Sequence, residues 1–125
     1  MPRSESKLLT EVELLLMNIL WRLGEGTVRE VLAEFPAGRT VAYTSASTMI
    51  RILEQKGAVE SRKEGKAHIY KPILLKKDYE NKTLDHVIEN VFDGTPAGLV
   101  RRLVSDQKMT KEQKAEIRRI LKEEF

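Results

Sequence analysis

The chain has 125 residues, 41% hydrophobic and 33% charged, with 22 basic and 19 acidic side chains for a net charge of +3. That is enough apolar material for the core of one domain or of a small domain with an appendage, while no apolar run is long enough to cross a membrane. Cysteine is absent, which excludes disulfides, thiol catalysis and the common zinc frameworks.

The polar N-terminus, Met1 to Leu8, reads as a loose arm without the apolar segment of a secretion signal, and a cytoplasmic location is expected. The first helix starts at Thr10, where Thr10-Glu11-Val12-Glu13 fits a capping box. Val12, Leu15, Leu16, Ile19, Leu20 and Leu23 recur at helical spacing. Leu14, Met17 and Trp21 form a second stripe, which predicts two packing neighbours, the hairpin side and a later helix. Gly24 and Gly26 end this helix. A second, short helix opens with another box, Thr27-Val28-Arg29-Glu30, buries Val28, Val31, Leu32 and Phe35, and stops before Pro36.

After the turn Pro36-Ala37-Gly38, a third helix runs from about Ala42 to Lys56. Ala46, Met49, Ile50 and Leu53 are its buried stripe and Gly57 ends it. Its other side carries Tyr43, Thr44, Ser45, Ser47, Thr48 and Arg51. The period then changes to two over Ala58–Lys71, a hairpin turning at Glu64-Gly65-Lys66 and closed by Pro72.

Past Pro72 the pattern is helical again. Leu84, Val87, Ile88 and Val91 share a face of a helix over 78–92, and Asp93-Gly94 breaks it. Thr95-Pro96 reads as an N-cap with proline at the first helical position, followed by Leu99, Val100, Leu103 and Val104. Thr110 to Gln113 is a third capping box, opening a last helix with Ile117, Ile120, Leu121 and Phe125. The fold class expected is mainly α with a small β-hairpin wing. A winged helix-turn-helix occupies residues 1–73 and a helical dimerisation region 74–125. The apolar stripes of that second region (Leu84, Val87, Ile88, Val91, Leu99, Val100, Leu103, Ile117, Ile120 and Leu121) belong to a segment too small to bury them alone. A second copy of the chain would cover them.

The charge distribution points the same way. Residues 1–38 hold four basic and six acidic groups, residues 39–72 seven and three, and residues 73–125 eleven and ten. Positive charge therefore gathers on the third helix and hairpin, as on a surface facing nucleic acid. Short hydroxyls and a guanidinium on the second helix of a helix-turn-helix can reach phosphates and base edges. Arg51 is the candidate for a guanine or a phosphate, and Thr44 and Thr48 for a phosphate or a thymine methyl. Arg39 in the turn and Arg62, Lys63, Lys66 and His68 in the wing suit the DNA backbone. Ile52, beside Arg51 and off the core stripe, would pack on the wing or touch sugar and methyl surface. The rival reading is a winged-helix module that binds protein and has no DNA target.

Enzyme readings find little support. Gly24-Glu25-Gly26 follows a helix rather than a strand, and Arg29 stands where a dinucleotide loop needs its third glycine. Gly94 to Gly98 has the glycine spacing of a nucleophile elbow but proline in place of serine. His68 and His86 have no neighbour at metal-ligand spacing, so no metal and no cofactor is expected.

Leu9 to Trp21, Ala42 to Thr48 with Leu53 to Gly57, and Arg62 to Pro72 together resemble the penicillinase and methicillin-resistance repressors and their copper-responsive relatives, the BlaI/MecI/CopY family. Phe92-Asp93-Gly94, Gly98-Leu99-Val100 and the terminal helix after Met109-Thr110 follow the same pattern. The resemblance implies a dimeric winged-helix repressor on a short inverted repeat of double-stranded DNA, with the C-terminal helices making the dimer. Two features of the family are not matched. The antibiotic-responsive members are released by cleavage at an Asn-Phe bond, and Arg102-Leu103 stands at the corresponding place, so a regulatory protease is left open. The copper-responsive members carry a C-terminal cysteine cluster, absent here.

Overall fold

The computed structural model describes residues 8–105 and 108–125, so the arm expected over residues 1–8 lies, except for Leu8, outside the described residues. Six helices and two strands follow in order: α1 Glu11–Leu23, α2 Val28–Ala33, α3 Tyr43–Gln55, β1 Val59–Glu64, β2 Ala67–Pro72, α4 Lys76–Asn90, α5 Pro96–Val104 and α6 Lys111–Glu124. None of the helices is long and apolar enough to cross a membrane.

All three capping boxes form. Thr10, Thr27 and Thr110 accept from the N–H groups of Glu13, Glu30 and Gln113 at 3.2, 3.1 and 3.0 Å. The returning carboxylate or amide oxygen lies 2.8 to 2.9 Å from each cap nitrogen. Each box satisfies two donors that a helix start otherwise leaves open. Thr95 is an N-cap with Pro96 behind it, but its hydroxyl donates back to the Phe92 carbonyl at 2.9 Å and caps nothing.

The chain forms two compact units, Met1–Thr83 and Leu84–Phe125. The sequence pattern divides the chain at 73/74, whereas the units divide inside α4. Two bonds account for this. The Trp21 Nε1–H donates to the Leu74 carbonyl at 2.8 Å, and the Leu9 N–H donates to the Tyr79 hydroxyl at 3.0 Å. The rings of Trp21 and Tyr79 pack with centroids 6.1 Å apart. The first turns of α4 are therefore the later neighbour that the second stripe of α1 requires.

The core of the first unit joins Leu16, Met17, Ile19 and Leu20 of α1 to Val28 and Val31 of α2 and to Ala46, Ile50 and Leu53 of α3, with Ala58, Val59 and Tyr70 from the hairpin. Leu23, expected on the buried stripe, is exposed at the end of α1, whereas Met17 is fully buried. β1 and β2 pair antiparallel from Val59↔Pro72 to Glu64↔Ala67, leaving the two-residue loop Gly65-Lys66. Gly65 takes φ 63, which favours glycine at the first position of such a loop. β2 also pairs outward. Gly26 and Tyr70 exchange two backbone hydrogen bonds of 2.9 Å, so the α1–α2 loop forms a one-residue third strand beside the hairpin.

In the second unit no described residue is buried. Leu84, Val91, Val100, Leu103, Ile120 and Leu121 are exposed, and Val87, Ile88, Leu99 and Ile117 are half-buried.

Candidate nucleic-acid interface

The outer side of α3 follows from its inner side. With Ala46, Ile50 and Leu53 buried, helical spacing turns Thr44, Thr48, Arg51 and Gln55 to the opposite face. Thr44, Ser45, Thr48 and Arg51 are exposed, Tyr43 is exposed and Ser47 is half-buried. Local bonds order this stripe. The Thr48 hydroxyl donates to the Thr44 carbonyl at 3.0 Å, and the Arg51 guanidinium donates to Ser47 Oγ at 3.3 Å. Gln55 completes the stripe at i+4 from Arg51, a spacing visible in the sequence. Ile52 is exposed, and helical spacing sets it on the flank of α3 opposite Glu54, the residue that bonds the hairpin.

Strand alternation sorts the basic residues of the wing into two faces. Ser61 and Tyr70 are partners, and so are Lys63 and His68. Cross-strand partners of an antiparallel pair point to the same side. Ser61 donates from Oγ to the Glu54 carboxylate of α3 at 2.7 Å, and Tyr70 is buried in the core, so this side faces α3. Burial pushes the Tyr70 phenol above its ordinary value, with the Glu54 charge acting in the same direction. Lys63 and His68 lie further along the same face towards the tip, where Lys66 occupies the loop.

Arg62 is on the other face, paired across the strands with Ile69. Its two terminal nitrogens donate to the two carboxylate oxygens of Glu25, each at 2.9 Å, and its Nε donates to Glu64 at 2.8 Å. These bonds, Glu25 first, raise the guanidinium further above its already high value and hold Glu25 below the usual carboxylate range. The structure thus separates Arg62 from Lys63, Lys66 and His68, with which the sequence grouped it. Arg39 is exposed in the α2–α3 turn, 4.0 Å from Glu11 and so only loosely held.

Two residues that sequence spacing did not single out support this surface. Arg29 of α2 lies over the Tyr43 ring, 5.1 Å from its centroid. Lys56, at the C-cap of α3, donates to both oxygens of the buried Glu13 carboxylate at 3.0 and 2.9 Å, tying the end of α3 to the start of α1. Burial works to raise the Glu13 pKa, but the Thr10 N–H and the Lys56 ammonium outweigh it and hold the group below its ordinary 4.5. Among the described residues no group of three or more His, Cys, Asp or Glu side chains is placed to hold a metal ion.

Known proteins are similar to this chain in sequence and, over the first unit, in fold. The penicillinase repressor of Bacillus licheniformis is 25% identical over 115 residues, covering 92% of this chain and 90% of the relative. The methicillin resistance regulatory protein MecI of Mammaliicoccus sciuri is 26% identical over 105 residues, covering 84% and 85%. The solution structure of the DNA binding domain of the repressor BlaI matches with a TM-score of 0.51 at 30% identity, over 57% of this chain and 87% of that one. The family profile described as penicillinase repressor matches residues 9–123, nearly the whole chain, and the protein belongs to that family.

Proposed function

We propose that the protein is a transcriptional repressor that binds an inverted-repeat operator in double-stranded DNA as a homodimer. The observation that carries this reading is the meeting of two features in the first unit: an outward stripe of hydroxyls and a guanidinium on α3, and a basic hairpin face turned towards the same helix. The family membership and the printed description of the BlaI domain as DNA binding support it.

In this reading α3 enters the major groove and presents Thr44, Ser45, Thr48 and Arg51 to base edges and adjacent phosphates. Lys63, Lys66 and His68 follow the backbone beside the groove, and Arg39 meets it at the turn. Arg62 is a positioning residue that fixes the wing to the α1–α2 loop through Glu25. Leu84, Val91, Leu103 and Ile120, with their half-buried neighbours, are the surface a second copy covers. Two copies would place two α3 helices on successive half-sites, which is why an inverted repeat is expected.

Selection of bound sequences from a random duplex pool tests this. Enrichment of an inverted repeat is the expected result. A chain that retains no duplex, or retains all sequences equally, is not a sequence-specific repressor, and the former result favours the protein-binding module.

A further inference from the structure

We propose that the cleft between α2, the first turn of α3 and the wing holds a backbone phosphate of the bound duplex, with Arg29 as the phosphate ligand and Tyr43 as the platform that orients it. The proposal rests on the DNA-binding reading above and adds to it a contact outside the recognition stripe and the wing face.

The cleft measures about 310 Å³. Arg29, Tyr43 and Ser47 line one side with the Thr27 hydroxyl, and Lys66 and His68 line the other. No carboxylate lines it. Arg22, Arg39, Arg62 and Arg119 each have a carboxylate within salt-bridge distance, whereas among the described residues Arg29, like Arg51, Arg101, Arg102 and Arg118, has none. Its interaction is with the Tyr43 ring.

Stacking has a chemical consequence. The ring occupies the flat face of the guanidinium and leaves the N–H donors at its edge free. Those donors match phosphate oxygens, for which arginine has a planar fork and lysine a point charge. A side chain already ordered on a ring loses less rotamer freedom on binding. The opposite wall supplies one cation from the wing loop, so a sugar–phosphate strand passing between α3 and the wing meets positive charge on both sides.

The test is binding of the full chain to a short mixed-sequence duplex across a salt series. Arg29→Ala is expected to bind about tenfold more weakly, as for loss of one charge-assisted hydrogen-bonded contact. The slope of log affinity against log salt should become shallower by about 0.9, the effect of one phosphate contact fewer. Arg29→Lys keeps the charge and should keep the slope, and Tyr43→Leu removes the platform but no charge, so it should weaken binding while keeping the slope. Parent-like affinity and slope in Arg29→Ala overturn the inference and leave the repressor reading standing. A parent chain that binds no duplex overturns both. Inorganic phosphate, compared with chloride at equal ionic strength, separates the two sources of phosphate. It should leave duplex binding unchanged, and displacement of duplex from the parent but not from Arg29→Ala would assign the cleft to free phosphate instead.

Discussion

Arg62 grips Glu25 through two parallel contacts of 2.9 Å, joining the outer face of the wing to the loop between α1 and α2. The same loop pairs with β2 through Gly26 and Tyr70, so the wing is held on its outer face and along one edge. The angle of Lys63 and Lys66 to α3 depends on these two attachments.

The Glu25→Gln variant distinguishes the two roles open to Arg62. If Arg62 positions the wing, losing the paired carboxylate loosens it, and duplex affinity falls even though a negative charge has been removed. If Arg62 were itself a phosphate ligand, the substitution would free it and affinity would rise. A titration at fixed salt reads the sign, and a fall is expected.

The buried Glu13–Lys56 pair predicts a stability change and a pH dependence. Lys56→Met leaves the Glu13 charge without its main partner and should cost about 1–3 kcal/mol in urea unfolding. Glu13 is held below its ordinary 4.5 in the folded chain, so the stability it contributes is fully present above that value and is lost as pH falls through the lower folded value. Unfolding of the parent should therefore show a loss on acidification below pH 4.5 that is smaller in Glu13→Gln.

Base readers and backbone ligands should separate in mutant binding. Arg51→Ala is expected to cost about 1–3 kcal/mol on a selected operator and little on mixed sequence, if the guanidinium is bidentate on a base edge. Lys63→Ala and Lys66→Ala should weaken binding to all sequences and each reduce the salt slope by about 0.9. A change confined to sequence preference in the lysine variants contradicts their backbone role.

The exposed faces of the second unit make the oligomeric state a direct readout. Leu103 and Ile120 are 45% and 46% exposed, far from what a core residue shows. The parent should sediment as a dimer at micromolar concentration, and Leu103→Asp and Ile120→Asp as monomers that retain a folded first unit. A monomeric parent would remove the basis for an inverted repeat.

What could be read in the sequence follows the range of the interaction. The capping boxes at Thr10, Thr27 and Thr110 span four residues each, so residue type and spacing are sufficient to find them. The outward stripe of α3 follows from helical period alone. Lys56 with Glu13 and Arg62 with Glu25 are 43 and 37 positions apart, and nothing local marks either pair. Gly26 with Tyr70 is a single bridge with no period to detect. Strand alternation, however, puts Arg62 and Lys63 on opposite faces, a division of the wing's basic residues legible from the period of two alone. The apolar stripes beyond Leu84 are legible from spacing, whereas what covers them is not encoded in the stripes themselves.

The most direct measurement of the DNA-binding claim is the affinity of the unmodified chain for duplex DNA as a function of salt. A surface built on Lys63, Lys66, Arg39 and Arg51 displaces counterions from phosphates, so log affinity should fall linearly with log salt. Absent binding, or affinity independent of salt, would contradict the account.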